Sequence, residues 1–139
     1  VEAVCDHGGD WLPAVPVLGV YPTGAHWDDE RHRPAGEVAS AAWEIAAVLT
    51  SSVASALLWH RGAGTGLSVD SIRLSPVTLG ELPWPGGNLR RAVAALRAGD
   101  VRTCSAAVAG AYGIDDATAL DGWWTALLER IEMRQPSTA

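Results

Sequence analysis

The residues of this chain that could do chemistry fall into small groups, and most of those groups have spacings that favour a structural role. His26, Asp28, Asp29 and His32 bring metal-ligand types into one short stretch. Their spacing matches no zinc or calcium pattern, and Arg31 and Arg33 beside them oppose a cation, so the stretch reads as a solvated loop. Gly62-Ala63-Gly64-Thr65-Gly66 has the composition of a phosphate-binding loop. Such loops follow a strand and open a helix, whereas this one follows a helical stretch, so it reads first as a helix terminus. Its second use is as a bare backbone turn that approaches a nucleic-acid phosphate, with Arg61 before it and Ser68 after it. His7-Gly8-Gly9 could frame an oxyanion, but no Gly-x-Ser-x-Gly elbow supplies a nucleophile. Asp115 and Asp116 stand where a helix starts and read as caps, and Trp123 and Trp124 as the core and rim of a packed helix. Cys104 sits in an Ala-rich helical stretch as a small buried thiol, and neither it nor Cys5 has a base beside it. The expectation is a chain with no self-sufficient catalytic centre and no metal or cofactor site of its own.

The basic residues are the more informative set. All ten are Arg, against sixteen acidic residues and a formal net charge of -6. The absence of Lys and the abundance of Ala, Val and Gly fit a GC-rich bacterial genome. The acidic balance opposes nucleic-acid binding by bulk electrostatics, yet Arg31, Arg33, Arg61 and Arg73 would form a local anion-binding face if they converged. His60 lies beside this set, and Arg90 and Arg91 follow on the C-terminal part.

The elements that must position these residues are mainly helical. With 139 residues, nearly half of them apolar and seven of them Trp, the chain can bury a core. Two apolar stretches, Val1 to Asp6 and Trp11 to Tyr21, flank His7-Gly8-Gly9-Asp10 and predict a β-hairpin, with Pro13 and Pro16 confining its second arm to an edge. A single helix is predicted from Gly36 to about Arg61, with Glu37, Ser40, Glu44, Ser51 and Ser55 as its polar stripe. Leu67 to Leu74 reads as a short strand or extended arm, and Ser75-Pro76 opens a short helix. A boundary is expected near residue 86, dividing an α+β front domain (1–86) from a helical tail (87–139). In the tail Asn88, Asp100 and Asp115 cap three helices, the first of which stops at Gly99. The last presents Leu120, Trp124, Leu127, Leu128 and Ile131 on one face. The fold class expected is therefore α+β, predominantly helical, with a short N-terminal β-hairpin packed on a long buried helix and followed by a small helical bundle. Val38 to Trp59 is a poor membrane span because of Glu44 and Thr50-Ser51-Ser52. Two cysteines and no signal pattern suggest the cytoplasm. Val1 opens inside an apolar pattern without an initiator Met, so a longer parent polypeptide is expected.

Between Glu37 and Pro85 four segments follow in a distinctive order. They are Val53-Ala54-Ser55-Ala56-Leu57-Leu58, Gly62-Ala63-Gly64-Thr65-Gly66-Leu67-Ser68, Ser71-Ile72-Arg73-Leu74-Ser75 and Leu79-Gly80-Glu81-Leu82-Pro83-Trp84-Pro85. This order resembles the target-recognition region C-terminal to the catalytic domain of N6-adenine DNA methyltransferases of restriction-modification systems, over roughly residues 11 to 85. The Tyr112-Gly113-Ile114-Asp115 tail is compatible with the end of that family. The resemblance implies target binding on double-stranded DNA without methyl transfer, since the Asn-Pro-Pro-Tyr-type tetrapeptide and the glycine-rich loop for S-adenosylmethionine are missing. Both that cofactor and the chemistry would belong to a catalytic domain of the same polypeptide. It implies DNA contacts from Arg61, Thr65, Ser68 and Arg73, to which Arg31 and Arg33 on the charged loop are added. The alternative expectation is a helical protein-interaction or oligomerisation module without nucleic acid. One basic face containing Arg61 and Arg73 favours DNA. Arginines dispersed among acids beside an exposed Trp or Leu patch favour protein association.

Overall fold

The computed structural model describes residues 3–6, 17–22, 35–66 and 72–132. Within them the chain forms α1 (Ala35–Thr50), α2 (Ser52–Gly62), α3 (Pro76–Gly80), α4 (Arg90–Arg97), α5 (Val101–Ala111) and α6 (Thr118–Glu132), and no strand. The expected α+β class is therefore corrected to an all-helical arrangement among the described residues. The described parts of the two hairpin arms, 3–6 and 17–22, form no strand, and the turn between them lies outside the described residues. The physical reason is visible in the second arm, where Val17 and Tyr21 are exposed instead of presenting an apolar face to a core. A lone two-stranded ribbon is marginal in water without such packing, and the prolines of this arm remove ladder donors. The arm at 72–75 is likewise extended without a ladder.

The single helix expected from Gly36 to Arg61 is two helices, α1 and α2, bent by 63°. Ser51 makes the break. Its backbone is extended (φ -76, ψ 157), its hydroxyl donates to Val48 O at 2.7 Å, and the same oxygen accepts from the Ala54 amide at 3.2 Å. One side chain thus satisfies a carbonyl at the end of α1 and an orphan amide at the start of α2. No single helix among the described residues is long and apolar enough to cross a membrane; only α1 and α2 taken together have the length and composition.

α4 and α5 form a hairpin against α1, while α2 packs on α5 and α6 and carries α3. The central core joins Ala47 and Val48 of α1 to Leu89, Ala92 and Ala95 around α4 and to Cys104 and Val108 of α5. Residues on both sides of position 86 therefore build one core. Its alanines let helix axes approach closely, so contact comes from backbone and Cβ atoms as much as from long side chains. α6 adds Trp124 and Leu127 as buried residues, with Leu128 at its margin.

The tail helices depart from the expected starts twice. Leu89 and not Asn88 is the cap residue of α4, with no side-chain cap hydrogen bond, although the Asn88 carboxamide just before it accepts from the Arg90 amide at 2.8 Å; Asp100 caps α5 as expected, accepting from the Thr103 amide at 3.0 Å. Gly99 (φ +77) and Gly113 (φ +78) adopt the left-handed conformation that closes α4 and α5. The third cap is Asp116 and not Asp115: it accepts from the Thr118 amide at 2.9 Å, because α6 starts later than the acidic pair suggested.

Candidate functional site

The segment from the end of α2 to the start of α4 holds most of the residues singled out by the sequence that lie within the described structure. α2 ends at Gly62, and Gly64 takes a positive φ of +79 to turn the chain. Thr65 then locks the turn: its hydroxyl donates to Gly62 O at 2.6 Å and accepts from the Arg73 amide at 3.1 Å. Ile72 rests on buried Gly62, where an added Cβ would lie 3.0 Å from the Ile72 Cβ. Thr65 is thus a staple that holds the returning arm to α2, and its hydroxyl is engaged inside the protein in both directions.

Arg61 is engaged as well. Its guanidinium donates to Glu81 O at 2.7 Å and stands 3.9 Å from the Glu81 carboxylate. It caps the carbonyl end of α3 and fastens that short helix to α2. At the other end of α3, Ser75 accepts from the Thr78 amide at 3.1 Å with Pro76 in the first turn. The Arg73 side chain is exposed. Arg61 and Arg73 consequently do not act as a pair of free cations. Ser68, Arg31 and Arg33 lie outside the described residues.

The segment Leu82 to Gly87, expected from the sequence to close the front domain, is anchored to α5. Tyr112 donates its hydroxyl to Pro83 O at 2.7 Å, Pro85 is buried, and the Gly87 amide donates to Ala111 O at 3.0 Å. Between these anchors Trp84 is left 55 % exposed, and Val77 on α3 is 70 % exposed. Partial burial raises the Tyr112 phenol above its ordinary value. A tryptophan between two prolines was the available signal, but that motif entered the sequence analysis only as the end of the fourth resemblance segment.

At the other end of α5 lies a shallow cavity of about 300 Å³, lined by Val101, Arg102, Trp124, Thr125, Leu128 and Glu129. Inside the bundle, the elbow at Ser51 is held by hydroxyls. The Ser52 amide donates to Ser105 Oγ at 3.0 Å, Ser105 Oγ donates to Ser52 Oγ at 2.8 Å, and Ser52 Oγ donates to Asp121 Oδ1 at 2.8 Å. Ser52 and Ser105 are fully buried, so this chain of hydroxyls ties α2, α5 and α6 together and presents no nucleophile to solvent. Among the described residues no group of three His, Cys, Asp or Glu could hold a metal ion. Burial pushes the Cys104 thiol up to about 11, with the Asp100 carboxylate adding to the effect; a thiol held neutral in this way is a poor nucleophile.

Comparison with protein families, with curated proteins and with solved structures found no match. The likeness to methyltransferase recognition regions therefore stands on the four sequence segments alone.

Proposed function

We propose that this chain is a helical protein-association module. The observation that carries the reading is Trp84, an exposed indole on a backbone fastened at Pro83, Pro85 and Gly87. An aromatic side chain held outward by a fixed backbone loses little conformational freedom on binding, and such anchors supply most of the energy of an interface. Arg61 supports the same reading, since it is paired with Glu81 three residues before Trp84 and is not arrayed with Arg73. A cytoplasmic setting belongs to this reading: the two cysteines are free, as in a reducing compartment.

A second reading, target recognition on double-stranded DNA within an N6-adenine methyltransferase, is favoured by the exposed Arg73 at the end of the glycine turn and by the exposed Arg90 and Arg91. In that reading S-adenosylmethionine and methyl transfer belong to a catalytic domain elsewhere in the polypeptide.

Two measurements separate the readings. A photo-crosslinking amino acid placed at position 84 in cells should give covalent protein adducts that the same residue at exposed Arg91 does not. Fluorescence anisotropy with duplex DNA at low and physiological salt should show no binding that depends on Arg73. Salt-sensitive DNA binding abolished by Arg73→Ala, together with an absence of adducts at position 84, overturns the association reading in favour of the DNA one.

A further inference from the structure

We infer that α6 is a separately detachable cover on α2, latched shut by the hydrogen bond between Ser52 and Asp121 and able to open while the core of α1, α4 and α5 stays folded. This opening is independent of what Trp84 meets.

Three observations carry it. The first is where α6 is attached. It packs chiefly on α2, and no residue of α6 belongs to the core shared by α1, α4 and α5. Of its described side chains only Trp124 and Leu127 are buried. The gap of about 300 Å³ between Val101 and Arg102 of α5 and Thr125, Leu128 and Glu129 of α6 leaves α6 without support on that side. Opening α6 therefore breaks one helix contact and leaves the central core whole. The connection allows it. Ile114 still donates its amide to α5, at Ala109 O and 3.0 Å, but beyond it residues 115–117 are irregular, and their hydrogen bonds run only to the first turn of α6, from the Thr118 amide to Asp116 and from the Asp121 amide to Ala117 O.

The second is the latch. Ser52 Oγ donates to Asp121 Oδ1 at 2.8 Å, the one hydrogen bond that joins α6 to another helix among the described residues. α2 has no acidic residue in its own first turn, so Asp121 supplies from α6 the negative charge that the amide end of a helix favours. Ser105 of α5 donates to the same Ser52 Oγ at 2.8 Å, which holds the α2 half of the latch in place whether or not α6 is docked.

The third is α6 itself. Gly122 stands in its interior, exposed, with open space where a Cβ would lie. It answers no packing need and lowers the intrinsic stability of the helix about fivefold relative to Ala. A free helix of fifteen residues is marginal in water even without such a residue. Once off α2, α6 melts, its amides meet solvent, and Trp124 and Leu127 become exposed.

The test is hydrogen exchange of the full chain at increasing, sub-denaturing urea, read by mass spectrometry on peptides from each helix. In the wild type the α6 amides should exchange about tenfold or more faster than those of α1, α4 and α5, and with a shallower dependence on urea, because opening exposes less surface than unfolding. Asp121→Ala should speed α6 exchange about tenfold or more, as for loss of a hydrogen bond to a charged group, and Gly122→Ala should slow it about fivefold. Val108→Ala, in the common core, should speed exchange in α1, α4 and α5 and leave α6 unchanged, since a contact kept in both the closed and the opened form cannot shift the balance between them. Should that variant fail to fold, the urea dependence of the wild type decides alone. Exchange of α6 at the rate and urea dependence of the core, or its acceleration by Val108→Ala in step with the core, would mean that α6 leaves only when the whole molecule unfolds, and would overturn the inference. Unchanged α6 exchange in Asp121→Ala would overturn the latch.

Discussion

Gly87 shows how a single atom can set the position of the exposed tryptophan. A Cβ there would meet Ala111 Cα at 2.7 Å and Ala111 O at 2.9 Å, both of them backbone, whereas at Gly86 it would meet nothing within 4 Å. Gly87→Ala should therefore push the linker off α5 and cost about 1–3 kcal/mol of stability, with Gly86→Ala close to neutral; urea denaturation midpoints of the two variants check this. The serines at the elbow divide in the same way. Ser51→Ala removes both bonds of the hydroxyl and should cost about 0.5–2 kcal/mol. Among the described residues Ser55 Oγ is buried without a hydrogen-bond partner, so Ser55→Ala, which removes a desolvated polar atom, should be neutral or mildly stabilising.

At the scale of elements, the helix ends were the most legible part of the sequence. Capping is a local event between neighbouring residues, so Asp100, Ser75-Pro76 and Gly99 could be read without knowing what the helices pack against. The elbow at Ser51 could not. Thr50-Ser51-Ser52 sits inside a long apolar run, and the partner that makes a buried Ser52 acceptable, Ser105, lies 53 residues away. The hairpin was misread for a related reason: alternation of apolar residues predicts a strand only where a neighbouring strand and a core exist to receive it. The candidate site was partly legible. Arg61 and Arg73 were visible as cations, but the Glu81 partner depends on how α3 folds back, and Trp84 depends on the Tyr112 anchor. The caps also give an acid-stability signature. Hydrogen bonds from Thr103 hold Asp100, and those from Thr118 hold Asp116, below the ordinary value of 3.8. Their contribution is present above that value and is lost as pH falls through the lower folded values. Thermal midpoints should decline over this acid range. Asp100→Asn, which keeps a capping oxygen, should flatten the decline while changing little at neutral pH.

For the molecule as a whole, Cys104 reports on integrity. It is completely buried in the common core of α1, α4 and α5, while Cys5 is only partly covered. Alkylation at pH 8 should modify Cys5 first and Cys104 only at the rate of global opening, read by mass spectrometry. Because the folded thiol ionises at about 11 against 9.0 ordinarily, its contribution to stability is complete below 9.0 and is lost as pH rises toward the folded value.

The core that draws Ala47 and Val48 from one side of residue 86 and Leu89, Ala92, Cys104 and Val108 from the other makes the Gly86-Gly87 junction a natural seam for a split protein. The two pieces made there would each carry an unfinished interior and would regain it only in each other's presence, so expressing them separately and restoring the fold by mixing would turn this bundle into a two-part reporter of proximity.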